Sequence, residues 1–342
     1  MPLINDEEIE SAVRYLGTAA FEDADSEGAS DLERGVLQVK GKITPEHFFG
    51  IEDAKDCGMA AAVDGSSAVV LDCCSFLVGA MTAGHALVRD GMVIDTKVRP
   101  VRLLPVSYLH RDAIYARLFS EALGSDPPDV PDTLEALVGR ARTLAEWLEA
   151  EAVLQRLFEG GLLIMDGSLW AGMPGIAPLI KRIADAAMEA GIAMVGVSKR
   201  SMLYTGHRPI VPLLARLGRK VMGDRCWFYP LDLKEYAERL FGATYIAHLH
   251  PMAHHAFRVD ILPTTELAAE DVLERLVSLS NDPGYLGYPY PLARVHNEVV
   301  ISRDMASEIS LYLKRGLAAS GGEIELLERY EEDFHTVLGR GQ

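Results

Sequence analysis

Two apolar runs that each end in Asp-Gly-Ser constrain this chain more than any other feature. The first reads Ala62-Val63-Asp64-Gly65-Ser66-Ser67, and the second Leu163-Ile164-Met165-Asp166-Gly167-Ser168-Leu169. A short apolar run bounded by turn residues has the pattern of a buried strand. Each copy therefore sets one carboxylate at the end of a strand, just before a tight turn of small residues. Two strand-end carboxylates in one sheet can converge on a single cation. Hard divalent cations such as Mg²⁺ or Mn²⁺ take oxygen ligands and are held by one or two carboxylates together with substrate phosphate, the arrangement of phosphodiester chemistry. Asp-Gly is also a common turn dipeptide, so a plain turn reading stands beside the metal reading.

The remaining pattern predicts what those strands belong to. Residues 59–63, 68–78 and 92–104 are rich in Val, Leu, Ile and Cys, with Asp90-Gly91 as a turn signal, and predict an antiparallel meander. A helix is expected over 111–123, a proline-rich loop over 125–132, and a long helix over 133–159. A strand at 162–165, a helix at 175–190 and a strand at 192–197 follow, with Gly191 as the helix stop. Further strands are expected at 225–228, 243–249 and 256–262, and helices at 265–280, 290–302 and 304–319. A meander followed by α/β alternation makes a mixed α/β sheet flanked by helices. At 342 residues and 49% hydrophobic, the chain can bury a core of that size. Residues 1–55 are expected to form a polar, helical N-terminal extension, 56–320 the main domain, and 321–342 a tail or closing helix.

Charge and cysteine usage narrow the function. A formal net charge of -17 repels nucleic acid at long range, so any DNA contact must be local, through a basic channel or metal ions. The four cysteines contain no C-x-x-C and fit buried thiols in a reducing cytosol. The start Met1-Pro2-Leu3-Ile4-Asn5 has no signal-peptide character, and no apolar run approaches membrane-spanning length, so a cytoplasmic protein without membrane attachment is expected. The segment from Gly35 to Lys42 resembles a phosphate loop, but its glycines are spaced one residue too far and Ile43 stands where Ser or Thr is needed. ATP hydrolysis by the chain itself is not expected.

Further chemistry-bearing residues lie around the two aspartates. On the helix over 133–159, Leu144, Trp147, Leu148, Leu154 and Phe158 share a face with Glu151 in its middle, whereas Glu146 and Glu149 fall off it. An inward carboxylate needs a metal or a structural arginine, and both stay open. Glu149 is the alternative to Glu151, because helix phase read from sequence shifts by a residue or two. Toward the C-terminus, Pro291 suits a helix first turn, and Leu292, Val295, His296 and Val299 share one face. His296 is then a core residue, a metal ligand or a proton carrier. Lys199 and Arg200 follow an apolar strand, either binding phosphate or capping the next helix. His248 and His250 share a strand face, with His254 and His255 close behind, a pattern that can bind zinc or be a polar pair beside a cleft.

In order along the chain, Val63-Asp64-Gly65-Ser66, Met165-Asp166-Gly167-Ser168-Leu169, Val197-Ser198-Lys199-Arg200-Ser201, Phe257-Arg258-Val259-Asp260 and Tyr288-Pro289 through His296 resemble the NurA nuclease family, over about residues 58–303. The resemblance implies an RNase H-like fold and a DNA nuclease dependent on Mn²⁺ or Mg²⁺. It implies 5′-to-3′ exonuclease action and endonuclease action on single strands. It also implies homodimers that act with a HerA-type hexameric ATPase in DNA end resection for recombinational repair. Asp64 and Asp166 match the family's metal aspartates, Glu151 or Glu149 its helix glutamate, and His296 its C-terminal histidine. In that scheme Asp64, Glu151, Asp166 and His296 hold the metal, Lys199 orients phosphate, and a partner motor supplies movement along DNA. Two other readings remain: a zinc-dependent hydrolase built on His248, His250 and His254, and a non-catalytic adaptor of a DNA translocase.

Overall fold

The computed structural model describes residues 10–11, 13–14, 37–52 and 58–321. In chain order the elements are β1 (Leu37–Gln38), a 3-10 turn (Pro45–His47), β2 (Phe49–Gly50), β3 (Met59–Asp72), β4 (Phe76–Arg89), β5 (Met92–Val98) and β6 (Arg102–Ser107). Then come α1 (Arg111–Leu123), α2 (Leu134–Leu154), β7 (Leu162–Asp166), α3 (Ala177–Glu189), β8 (Ala193–Ser198), β9 (Leu203–Thr205), β10 (Arg208–Pro209) and α4 (Ile210–Met222). The chain continues through β11 (Trp227–Leu231), a second 3-10 turn (Lys234–Tyr236), β12 (Ala243–His248), β13 (Phe257–Leu262), α5 (Ala269–Ser278), α6 (Tyr290–Val299) and α7 (Arg303–Ala319).

The main sheet has ten strands in the order β2-β11-β12-β13-β8-β7-β3-β4-β5, with β6 paired to β4. Strands β3, β7 and β8 run parallel, and the pairings on either side of them are antiparallel. This is the expected mixed α/β sheet flanked by helices. The parallel strands demand crossovers, and α1 with α2, then α3, supply them.

Side-chain alternation assigns the two faces. Ala61, Val63, Leu163 and Met165 point into one core beneath α1, α2 and α3. Ala60, Ala62, Leu162 and Ile164 point into a second core beneath α5 and α6. A third, smaller cluster gathers Leu37, Phe48, Leu203, Leu214 and Trp227 around α4.

Four departures from the sequence expectations bear on function. Strand β3 does not end at Asp64: it runs on to Asp72, because β4 pairs with it on both sides of Asp64. The long helix stops at Leu154 rather than near residue 159. Residues 210–222, given no element from sequence, form the helix α4. In the expected helical extension, residues 10–11 and 13–14 are helical, but 37–52 form β1, β2 and a 3-10 turn, with β1 joined to β9 and β2 to β11. The rest of that extension and the tail over 322–342 lie outside the described residues.

Candidate metal centre

Register brings the two aspartates together. Val63 of β3 sits opposite Met165 of parallel β7, so the next residues, Asp64 and Asp166, are neighbours. Both are even-numbered in the alternation and therefore point to the α6 side of the sheet. β7 ends at Asp166 while β3 continues, which leaves a notch beside Asp64 where β3 has no parallel neighbour. Helix α6 crosses this notch and delivers His296, whose Nδ1 lies 2.7 Å from Asp64 Oδ2. One ligand atom from each of Asp64, Asp166 and His296 falls within 4.8 Å of the others, the one such group among the described residues.

Each member is held by further contacts. The Gly65 amide donates to Asp64 Oδ1 at 2.7 Å. Lys199, just past the end of β8, donates to Asp166 Oδ2 at 2.7 Å, and the Tyr288 hydroxyl donates to Asp166 Oδ1 at 3.1 Å. Lys199 Nζ also lies 5.4 Å from the centre of the Tyr288 ring. Asp64 is only 3% exposed. Burial first, and then the neighbouring Asp166 carboxylate, push its carboxyl above the usual aspartate range, against the contrary pull of His296 and Lys199. Burial and the same carboxylate push the Tyr288 hydroxyl upward, so it remains a proton donor. A buried carboxylate crowded by a second one is short of positive charge, and a divalent cation supplies it. Two carboxylates and an imidazole, with no thiolate, suit Mn²⁺ or Mg²⁺ by donor type.

The two Asp-Gly-Ser copies owe their glycines to different causes. Gly167 has φ +120°, a turn backbone that L side chains rarely adopt. Gly65 is ordinary strand, but a Cβ there would stand 2.6 Å from Glu146 Cγ and 2.8 Å from Glu146 Oε1. The missing side chain admits Glu146 from α2 against the opposite face of the sheet. Glu146 accepts from Arg142 at 2.5 Å. Burial pushes its carboxyl up to about 7, with Asp64 and Asp166 adding to the rise and Arg142 opposing it.

The structure brings together Asp64, Asp166, His296 and Lys199, and separates the other predicted residues from them. Glu151 is paired instead with Arg182 of α3, at 2.7 and 3.1 Å, on the far side of α2 from the sheet. Glu149 is buried one turn below Glu146, bound to His85 at 2.6 Å and to Arg99. Burial opposes its charge, but those two partners outweigh burial and hold its carboxyl below the usual glutamate range. Helix α2 is buried on two sides. Glu146 and Glu149 face β3 and β4, whereas Leu144, Trp147 and Glu151 lie toward the neighbouring helices. The apolar stripe visible in sequence was the second of these, so Glu146 was passed over. Its signal was the pairing of a glycine on β3 with a carboxylate on the covering helix, which needs the fold to be seen.

The histidine set does not assemble. His248 is buried, its Nε2 3.0 Å from the Ala253 carbonyl and its ring stacked on Trp227. His250 accepts from the Met252 amide through Nδ1 at 3.1 Å. His254 and His255 line the groove beside α4, and His254 also shares a smaller pocket with His248. No trio of His, Cys, Asp or Glu including them is close enough to hold an ion among the described residues.

A buried network steadies the loop that follows Asp166. Asp260 of β13 is fully buried and accepts from Arg258 at 2.9 and 3.0 Å, from Thr244 Oγ1 at 2.7 Å and from the Leu169 amide at 2.9 Å. Gly196 on β8 lets the same loop lie close, since a Cβ there would meet the Gly167 carbonyl at 2.7 Å.

Fold and site together define a mixed-sheet α/β protein in which Asp64, Asp166 and His296 form a group that could hold a cation. The NurA domain model matches residues 59–301, from the first residue of β3 to just before α7, and the chain therefore belongs to the NurA family. Its fold is similar to that of the NurA nuclease from Sulfolobus solfataricus, with 15% identity, a TM-score of 0.50, and 92% of this chain and 95% of that chain covered. A second NurA structure is similar at 9% identity and a TM-score of 0.53, over 93% of this chain and 98% of the other. Among curated proteins none matches the sequence. Among the described residues no helix is long and apolar enough to cross a membrane.

Proposed function

We propose that this chain is a divalent-metal-dependent DNA nuclease whose cation, Mn²⁺ or Mg²⁺, is held by Asp64, Asp166 and His296. The observation that carries the reading is the convergence of those three ligand atoms within 4.8 Å at the sheet notch. Glu146 of α2, behind Gly65 on the other face of the sheet, adds negative charge near the two aspartates. When bound, the cation supplies an activated water and offsets charge on the phosphate.

The chain's own groups do the rest. Lys199 exchanges Asp166 for a phosphate oxygen when substrate enters, which frees the carboxylate for its ligand role. Tyr288 donates to Asp166 and fixes its orientation. His296 sits on the solvent side of Asp64, with 47% of its side chain exposed, and closes the ligand set at the mouth of the site.

Family membership supports the finer reading. In it the chain acts as a homodimer in the cytoplasm, degrades DNA ends 5′ to 3′, and cuts single strands internally. It works with a HerA-type hexameric ATPase in end resection for recombinational repair. The sequence lacks a complete phosphate loop of its own, which agrees with dependence on a separate motor. Residues 56–320 then make up the nuclease domain.

The test is cleavage of end-labelled single- and double-stranded DNA with Mn²⁺, Mg²⁺, Zn²⁺ or EDTA, with and without the motor. Mn²⁺-dependent cleavage from the 5′ end, lost in folded Asp64→Asn and Asp166→Asn, is the expected result. DNA or motor binding without cleavage under any metal would replace this reading with the adaptor.

A further inference from the structure

A groove of about 790 Å³ opens between the β8–β9 connection, α4 and the start of β13. Lys199, Arg200, Arg216, Arg219 and Lys220 line it, and no acidic side chain does. Lys199 is bonded to Asp166. Arg200, Arg216, Arg219 and Lys220 have no carboxylate partner among the described residues, whereas Arg140, Arg182 and Arg258 elsewhere are ion-paired. All four are exposed. In a chain of net charge -17 they make a local excess of positive charge, which an anionic occupant would offset.

The chain carries a candidate occupant of its own. Glu22, Asp23, Asp25, Glu27, Asp31 and Glu33 put six acids into twelve residues, with no Lys or Arg among them. Leu32 is the one large apolar side chain in that stretch, so charge rather than burial decides where it binds. The stretch precedes the described fold and lies outside the family domain, which starts at residue 59. Its point of attachment is fixed. The Leu37 amide donates to the Met202 carbonyl at 2.9 Å, and β1 pairs in parallel with β9 from Leu203 onward. Met202 and Tyr204 themselves line the groove. Glu33 is four residues from Leu37 and Glu22 fifteen. At full extension those intervals reach at most about 14 and about 54 Å. The acids are therefore tethered at the groove wall, at an effective concentration on the order of millimolar. The tail after α7 is acidic too, but α7 packs on Val70 and Ala80 and lines no part of the groove.

We infer that residues 22–33 dock in this groove as an internal polyanion, contacting Arg216, Arg219 and Lys220, and compete there with anions from outside. The contact is autoinhibitory. Its consequence rests on the nuclease reading above, which supplies the competitor: DNA, whose phosphates seek the same cations. The contact itself does not depend on that reading. A partner that draws the acidic stretch away would free the groove and raise activity without touching the metal centre.

The experiment treats the full chain with a water-soluble carbodiimide, which joins a carboxylate to a lysine amine in contact with it, and maps the links by mass spectrometry. A mixture of unlabelled and ¹⁵N-labelled chains separates links within a chain from links between chains. Links from residues 22–33 to Lys220 within one chain are expected, and salt at about 1 M should abolish them. In parallel, affinity for a short fluorescent oligothymidylate is measured in EDTA at low salt. Changing the six acids of 22–33 to Asn or Gln should tighten binding at least about tenfold, because the tethered competitor is gone. Neutralising the six acids of 323–333, an equal change in net charge, should leave affinity near that of wild type. No link to Lys220, links only between chains, or links to it from 323–333 instead would overturn the inference. So would a gain from the first variant no larger than that from the second. The expected links in a protein that binds and cleaves no DNA would uphold the contact and sink the nuclease reading.

Discussion

Gly65 and Glu146 show how much of the site depends on one missing methyl group. The glycine is required because a carboxylate from α2 occupies the space where a side chain would be. Gly65→Ala should cost about 1–3 kcal/mol of stability by overpacking, and should lower cleavage by displacing Glu146 next to Asp64. Urea denaturation and an activity assay on the same preparation check both. Glu146 also sets a pH dependence. Its folded pKa of about 7 lies above the ordinary glutamate value, so between those two values the folded, metal-free protein binds a proton that the unfolded chain does not. Stability of the metal-free protein should therefore fall as pH rises from about 4.5 to about 7. Cation binding competes with that proton, so the rise in melting temperature on adding Mn²⁺ should grow through pH 7. Glu146→Gln should flatten that trend; a trend unchanged in the variant would show that Glu146 is not its source. At this scale the aspartates were legible, because an apolar run ending in Asp-Gly-Ser is visible in sequence. Glu146 was not legible, because a glutamate off the visible apolar stripe reads as a solvated residue until a sheet is known to cover that side.

The element that misled the sequence reading is α2, which packs the sheet on one side and helices on the other. One helix wheel cannot show two buried faces as separate surfaces, and the stripe containing Glu151 is the more apolar of the two. The two glutamates now make opposite predictions. Glu151 and Arg182 form a partly exposed pair, and Glu151→Gln should change stability by no more than about 1 kcal/mol and leave cleavage intact. Asp260 on β13 is different, since it is buried beneath Arg258 and holds the amide of Leu169 after the Asp166 turn. Asp260→Ala should cost roughly 3–5 kcal/mol by leaving the Arg258 guanidinium buried and unpaired. Urea denaturation of the two variants side by side decides it, and near-equal costs would contradict the account. The strands β7 and β8 and the helix α6 were legible from periodicity, because each is apolar on the face or faces it buries. Helix α4 was legible in principle too, with Ile210, Leu214 and Gly218 on one face and Arg216, Arg219 and Lys220 on the other, although the sequence expectations give it no element. The continuation of β3 past Asp64 was hidden, because Gly65-Ser66-Ser67 carries turn chemistry and only pairing with β4 keeps it extended.

Over the whole molecule, the order of strands rather than any single segment creates the function. Residues 64, 166 and 296 are distant in sequence and meet because β3 and β7 are parallel neighbours and α6 lies across the step between their ends. A net charge of -17 argued against a polyanionic partner, yet Lys199, Arg200, Arg216, Arg219 and Lys220 line one groove beside the site with no acidic side chain among its walls. The mixed sheet was predictable from a meander followed by α/β alternation, but the distribution of charge over its surface was not, since that depends on which faces the fold leaves open. The central claim is that Asp64, Asp166 and His296, and not Glu151, hold the cation. The most direct test is Mn²⁺ binding measured by electron paramagnetic resonance on wild type, Asp64→Asn, Asp166→Asn, His296→Gln and Glu151→Gln. The account predicts lost or much weakened binding in the first three variants and wild-type binding in Glu151→Gln. Intact binding in Asp64→Asn, or its loss in Glu151→Gln, would contradict it.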